Sequence, residues 1–215
     1  MSEWPVLNIT GWPPAADGSG ASLAKRDADS ASAPADNWTF SPQPGGTPGV
    51  PTLAAPGVPL AFNELAPAGV TNFWVEIANT GDSAQQLAGC VIRCSRTNAS
   101  YTFPAGFLSA GGYHVVAASQ LGFVPRVGDK LFLYSSNRTA VLDGAIVGAG
   151  PQARSAPGTG QWLYPSMPTP GSSNLFLLRD DIVINEIMYH APPTYARPAV
   201  YRHVAHRAMD SVWKY

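Results

Sequence analysis

Apolar and polar residues alternate with a period of two in several short segments of the chain, which is typical of β-strands with one buried face. In NFWVEIANTGD, one face carries Phe73, Val75 and Ile77, and the other carries Trp74 and Glu76. The turn formers at the end of this segment close the strand. No stretch of the sequence shows sustained helical periodicity, so the pattern predicts an all-β protein.

Further strands are predicted wherever short β-branched or aromatic runs stand between turn formers. They are Leu60–Leu65, Leu87–Ser95, Tyr101–Phe103, Tyr113–Ala118, Lys130–Ser135, Ala140–Val147 and Gln161–Leu163, with loops predicted at Ala105–Gly112 and Gly148–Gly160. Short strands at such intervals favour a sandwich of two antiparallel sheets. We expect its core to consist of Phe62, Phe73, Val75, Ile77, Leu87, Cys90, Ile92, Val115 and Leu133.

Two motifs of the sequence recur with one common offset. LAFNELAP at Leu60–Pro67 returns as IVINEIMYHAP at Ile182–Pro192, and TPG at Thr47–Gly49 returns at Thr169–Gly171. Two separate motifs that share an offset of 122 positions indicate a tandem array of units, each about one small domain long.

The repeat predicts four regions of the chain. Residues 1–52 are interpreted as the C-terminal part of a first unit, 53–57 as a linker, 58–178 as one complete unit, and 179–215 as the truncated start of a following unit. We expect the two partial units to be mobile or to pair with edge strands of the central sandwich, since each has little apolar surface to bury. Residues 58–178 alone are then predicted to melt like the whole chain.

Composition narrows the class of protein. Gly and Pro contribute 21 residues each and charged residues are 13% of the chain, as in a loop-rich β protein. A net charge of −1 gives no electrostatic footprint for nucleic acid or an anionic membrane surface. No apolar run approaches the ~20 residues of a membrane-spanning helix, and MSEWPVLNIT does not resemble a signal peptide.

The two cysteines, Cys90 and Cys94, are predicted to lie on one strand and to face the same side of it. Residues four apart on a strand are ~13 Å apart, whereas a disulfide needs Cα atoms within about 7 Å. We therefore expect two free, half-buried thiols.

The order of motifs resembles a known family. The ordered string runs from the NE strand through WVEIANTGD, LAGC, YTFPAG, LSAGGYHVVA and GDKLFLY to PTPGSSN, and it is similar to the bacterial lamin-tail-like domain, an immunoglobulin-like β-sandwich. The similarity covers about Pro59–Asn174, and residues 1–50 resemble the last third of the same domain. IVINEIMYHAP resembles the opening of a third copy, or of the segment that follows such domains.

The resemblance implies a module, or fragment of a tandem array, from a large secreted or cell-surface bacterial protein. Such proteins often carry a spore-coat-kinase-like (CotH) or hydrolase domain elsewhere, and the modules act as spacer, adhesion or interaction units without catalytic residues of their own. The implied partners are neighbouring domains of the same polypeptide and a polysaccharide or surface protein. The alternative is a glycan- or polymer-binding module that targets an attached enzyme.

Several residue clusters are candidate chemical sites. Glu64 and Glu76 form a candidate acid/base pair, although backbone binding at loop corners fits their motifs better. The aspartates Asp17, Asp27, Asp29 and Asp36 suggest a hard-cation loop, but their spacing matches no EF-hand and favours solvated turns. His190, His203 and His206 suggest zinc, but no third ligand stands in register. No cofactor or metal ion is therefore predicted.

Two surface features complete the sequence-based predictions. Trp74 lies opposite the apolar face of its strand, where an indole ring exposed to solvent stacks well on a sugar, so it is the one candidate ligand contact. Coverage by another loop is the alternative. Four asparagines, Asn8, Asn37, Asn98 and Asn137, fit the N-x-Ser/Thr pattern and would mark exposed loops in a eukaryotic secreted protein.

Overall fold

A computed structural model describes residues 11–49 and 57–177 of the 215-residue chain. Almost all of its regular structure is β, because helix in these residues is limited to α1 (Ala118–Leu121) and three single turns of 3-10 helix. The strands are β1 (Leu23–Lys25), β2 (Trp38–Phe40), β3 (Leu60–Leu65), β4 (Trp74–Asn79), β5 (Gln85–Gln86), β6 (Val91–Cys94), β7 (Ser100–Thr102), β8 (Phe107–Leu108), β9 (Tyr113–Ala117), β10 (Lys130–Tyr134), β11 (Val141–Ile146), β12 (Gln152–Arg154) and β13 (Trp162–Leu163).

Two antiparallel sheets enclose the main core, so the predicted all-β sandwich is confirmed. One sheet has the order β13-β12-β3-β4-β9 and the other has the order β11-β10-β6-β7. Their facing side chains form one apolar cluster that includes Phe62 and Ile77 from the first sheet and Ile92, Leu131 and Leu133 from the second. Short ribbons β1-β2 and β5-β8 flank the sandwich.

One of the nine predicted core residues is wrong. Val115 lies opposite Glu76 on the outer face of the five-stranded sheet and is half-buried, whereas its neighbour Val116 is completely buried in the core. Since the side-chain period of a strand is two, an assignment displaced by one residue selects the wrong face. The other eight residues belong to the main apolar cluster.

Two short strands lie in segments predicted as loops: β8 within Ala105–Gly112 and β12 within Gly148–Gly160. Strands of two or three residues are too short to show alternation in the sequence. Cys90 and Cys94 are both free, as predicted, but they are buried rather than half-buried, and Cys90 lies just before β6 rather than on it. Both side chains join the main core.

The N-terminal segment covers the outer face of the four-stranded sheet. Phe132 and Tyr134, which alternate with the inward-facing residues of β10, are buried in a second apolar cluster with Ala15 and Ala21. The Tyr134 hydroxyl donates a hydrogen bond to the Ser19 carbonyl (2.8 Å). Residues 11–49 thus pack against a sheet face, and their contact with the edge strand β11 includes a bond from Val141 N–H to the Pro42 carbonyl. The segment was expected to be mobile or to pair with edge strands; it packs on a sheet face and also bonds to the edge strand β11.

Some predicted features lie outside the described residues. These are Asn8, the recurrence at Ile182–Pro192 and the histidines His190, His203 and His206. Among the residues that the structure does describe, no helix has the length and apolar character needed to cross a membrane.

Candidate functional site

The two candidate carboxylates lie side by side at the centre of the five-stranded sheet. Glu64 of β3 is directly opposite Glu76 of β4 in the antiparallel pairing. The register of this pair shifts between Phe62 and Glu64, so Asn63 occupies a bulge. Glu64, Glu76 and Asn63 are all completely buried, although they lie on an outer face where the sequence pattern predicts solvent.

A loop near the end of the unit covers the two carboxylates. We call Thr169–Asn174 the strap. The Thr169 N–H donates to both Glu64 oxygens at 3.1 Å, and the Thr169 hydroxyl donates to Glu64 Oε2 at 3.0 Å. The Gly171 N–H donates to Glu76 Oε2 at 2.5 Å. The carboxylates therefore hold the strap through its backbone, as the sequence favoured for these motifs.

Two asparagines connect the carboxylates to the strap. Asn63 Nδ2 donates to Glu76 Oε1 at 2.7 Å and to Asn174 Oδ1 at 3.3 Å. Asn174 Nδ2 in turn donates to Asn63 Oδ1 at 3.2 Å and to the Arg154 carbonyl at 2.8 Å. We call Asn63, Glu64, Glu76 and the strap the clamp. Every buried side-chain nitrogen and oxygen in the described residues has a hydrogen-bond partner, so the clamp leaves no polar atom unsatisfied.

The pKa values of both glutamates of the clamp are raised above the ordinary glutamate value. Burial raises the pKa of Glu64, and the hydrogen bonds from Thr169 act against this, while the neighbouring Glu76 raises the pKa further. Burial likewise raises the pKa of Glu76 against the hydrogen bonds from Gly171 and Asn63. Within the described residues no cation pairs with either carboxylate. Both side chains are completely buried, and the hydrogen bonds that they accept tie β3 and β4 to the strap.

A buried ion pair closes the adjacent edge of the sandwich. Arg154 Nη2 lies 3.0 Å and 2.9 Å from the two Asp143 oxygens, and Arg154 Nε donates to the Phe62 carbonyl at 3.0 Å. Asp143 Oδ2 also accepts the Phe62 N–H at 2.9 Å. Strand β12 no longer pairs with β3 at Phe62, and the ion pair satisfies both backbone groups of that residue instead. Because Asp143 lies on β11 and Arg154 on β12, the pair also joins the two sheets.

Trp74, the predicted ligand contact, is half-buried rather than open to solvent. Its ring packs against the main core, and its cross-strand neighbour is the small residue Ala117. The ring is therefore partly covered and partly exposed, between the two arrangements considered for it from the sequence. Its contact with a ligand stays a prediction.

The aspartates of the N-terminal loop do not converge on one point. Asp17 forms an ion pair with Lys130 (2.5 Å), and Asp27 Oδ1 accepts the Asp29 N–H in its own turn. Two cationic side chains bond to backbone carbonyls of this loop: the Lys25 ammonium donates to the Ser30 carbonyl at 2.6 Å, and Arg26 Nε donates to the Asp36 carbonyl at 3.1 Å. Across residues 11–49 and 57–177, no group of three or more His, Cys, Asp or Glu side chains is placed to hold a metal ion.

The strap was not predicted as the partner of the two glutamates. A signal was present, because NE and TPG are the two motifs that recur at one offset. In the folded unit these motifs touch each other across a separation of 105 residues. Two motifs that recur at a common offset in the sequence are therefore in contact in the structure.

Comparison of the chain with protein-family models, with curated proteins and with solved structures found no match in any of the three.

Proposed function

We propose that this chain is a non-catalytic β-sandwich module that serves as a spacer, adhesion or interaction unit in a larger extracellular bacterial protein. The observation that carries the proposal is the clamp. Its two acidic side chains, the strongest candidates for catalysis in the sequence, are buried and bonded to the backbone of the strap. They join the first strand of the sandwich to a loop near its end.

Such a connection suits a unit that is pulled at both ends. Strand β3 enters the sandwich and the strap leaves it, and the clamp bonds the two to each other. The hydrogen bonds to two charged acceptors must break before the sandwich opens, and bonds to charged groups are stronger than neutral ones. A force applied along the chain therefore acts on the hydrogen bonds of the clamp before it acts on the core.

The resemblance to lamin-tail-like domains supports the same proposal. The residues of the clamp come from three of the motifs that carry the resemblance, namely the NE strand, WVEIANTGD and PTPGSSN. A tandem module in this family is expected to space or attach other domains, and an immunoglobulin-like sandwich is the architecture that the resemblance implies.

Single-molecule force spectroscopy of the full chain, tethered by its two ends, tests the spacer role. We expect one main unfolding event that releases about 350–400 Å of chain, since extended residues span ~3.3–3.6 Å each. Glu64→Gln should lower the unfolding force because a charge-assisted acceptor is lost. Asp82→Asn, at an exposed carboxylate, is the matched control and should leave the force unchanged. Gradual extension without a distinct event would contradict the proposal.

Glycan or polymer binding is the second candidate function, and the partial exposure of Trp74 favours it. Trp74 alternates with the core residues Val75 and Ile77 on β4, and its cross-strand neighbour is the small residue Ala117, so the exposed part of the indole is the candidate surface for a ligand. Retention on immobilised polysaccharide should fall for Trp74→Ala. It should persist for Phe107→Ala, which removes an aromatic side chain that is 73% exposed on another part of the surface. Equal retention of both variants and the unaltered chain would exclude Trp74 as the contact.

A further inference from the structure

Two hairpins of the molecule share an unusual pairing. In β1-β2, Lys25 lies opposite Trp38, and its ammonium is 5.8 Å from the centre of the indole ring. In β12-β13, Arg154 lies opposite Trp162, and its guanidinium is 4.8 Å from that ring. Both hairpins therefore carry a cation over an indole at the same cross-strand position.

Two more features are common to both hairpins. The residue before each cation is a buried alanine, Ala24 in β1 and Ala153 in β12. A TPG motif follows each hairpin, at Thr47–Gly49 and at Thr169–Gly171. The hairpin β1-β2 therefore corresponds to the part of the central unit that binds β3.

The two hairpins differ at one edge. Strand β12 pairs on its other side with β3, where Ala153 lies opposite Glu64. Among residues 11–49 and 57–177, β1 pairs only with β2. The Ser22 carbonyl accepts the Ser41 N–H, and the Arg26 N–H donates to the Asn37 carbonyl. Backbone groups alternate in direction along an antiparallel strand, so those of Leu23 and Lys25 point to the other edge of β1, away from β2. We call it the open edge, because none of the described residues pairs with β1 there. Leu23 is 40% exposed there.

We propose that this open edge of β1 binds the segment Ile182–Tyr189 of a second copy of the chain as an added antiparallel strand. This segment, IVINEIMY, is the counterpart of Leu60–Leu65 at the common offset, and it carries the same Asn-Glu pair. Addition of a strand to an exposed sheet edge is a common mode of recognition. The pairing of β12 with β3 sets the register, so that Glu186 lies opposite Ala24 and Ile187 opposite Leu23.

The order of elements favours a second copy as the donor. In the central unit the NE strand precedes its hairpin along the chain, as β3 precedes β12. Ile182–Tyr189 follows hairpin β1-β2 in its own chain, but it precedes the hairpin of a copy joined head to tail. Such a contact is heterologous and extends into an open row of copies. This inference goes beyond the spacer role and does not depend on it.

Sedimentation velocity of the full chain, from low micromolar to several hundred micromolar, tests the proposal. We expect the mean mass to rise with concentration. A synthetic peptide with the sequence of residues 181–190 should return the protein to monomers by occupying the edge. N-methylation of the peptide at Ile187 removes an amide that faces β1 and should abolish this effect. N-methylation at Glu186, whose amide faces away, is the matched control and should preserve it.

A variant of the full chain separates this proposal from the proposed function. Glu186→Lys should abolish association and leave the unfolding force of the central unit unchanged. Glu64→Gln should lower the unfolding force and leave association unchanged. A chain that is monomeric at every concentration would overturn the proposal. Association that persists with the unmodified peptide, or that responds equally to both N-methylated peptides, would overturn it as well.

Discussion

Glu64 and Glu76 face each other across neighbouring antiparallel strands, and both side chains are completely buried beneath the strap. Like charges directly opposite on a sheet are destabilising, and burial adds the cost of removing a charge from water. Three backbone and side-chain donors of Thr169 and Gly171 compensate. The clamp is therefore a place where the free energy of folding depends on pH.

The contribution of the clamp to the free energy of unfolding should be larger in mild acid than at neutral pH. Burial raises the pKa of Glu64 and of Glu76 in the folded state, so between the ordinary glutamate pKa of about 4.3 and the raised values the folded chain binds more protons than the unfolded chain. This contribution is complete below the unfolded pKa and is lost as the pH rises through the folded pKa. Melting temperature against pH measures it. Glu64→Gln should flatten the slope, and an unchanged slope would contradict the assignment.

Asn63→Ala should destabilise the fold by about 1.5–3 kcal/mol. The change removes the donor to Glu76 Oε1 and leaves that buried carboxylate oxygen without it. Chemical denaturation measures the free energy of unfolding, and Asn72→Ala, the same change at an exposed residue shortly before β4, is the matched control. Equal stability of the two variants would mean that Asn63 is not part of the clamp.

Asp143→Ala should cost about 3–5 kcal/mol, because it leaves Arg154 buried without its partner. The two side chains are 9% and 11% exposed, so water cannot replace the lost carboxylate. Asp17→Ala breaks the Lys130 ion pair at a side chain that is 74% exposed and should cost less than about 1 kcal/mol. Denaturant unfolding measures the loss of stability in each variant. Similar losses would show that burial does not make the Asp143–Arg154 pair more important than the Asp17–Lys130 pair.

Gly144→Ala should release the N-terminal segment from the sandwich. A Cβ atom at Gly144 would lie 2.6 Å from the Ala15 backbone nitrogen and 2.7 Å from its Cα, so this segment must move away. We expect faster proteolysis of the 26–36 loop and a lower melting temperature, since Phe132 and Tyr134 lose their cover. Gly106→Ala, where a Cβ meets nothing, should change neither.

A chain shortened to residues 58–178 should then melt below the full chain, contrary to the sequence-based expectation. Loss of residues 11–49 exposes the second apolar cluster on β10 and deprives the Tyr134 hydroxyl of its acceptor. Calorimetry of the two chains provides the comparison. Equal melting temperatures would restore the expectation that the N-terminal segment contributes nothing to the central unit.

The sequence by itself determined the elements whose pattern is long enough to read. Alternation identified β4, and β-branched or aromatic runs between turn formers identified β3, β6, β7, β9, β10, β11 and β13. Eight of the nine predicted core residues belong to the main apolar cluster. The two thiols are free as predicted, although Cys90 lies just before β6 and not on it. The common offset of NE and TPG marked the two motifs that meet in the clamp.

Only the tertiary structure decided which outer faces are covered. Glu76 belongs to the polar face of β4, and its burial depends on a strap that lies 95 residues further along the chain. Phe132 and Tyr134 are likewise buried by a segment more than 100 residues before them. Periodicity reports the difference between two faces of a strand, but contacts between distant segments determine whether the second face meets water.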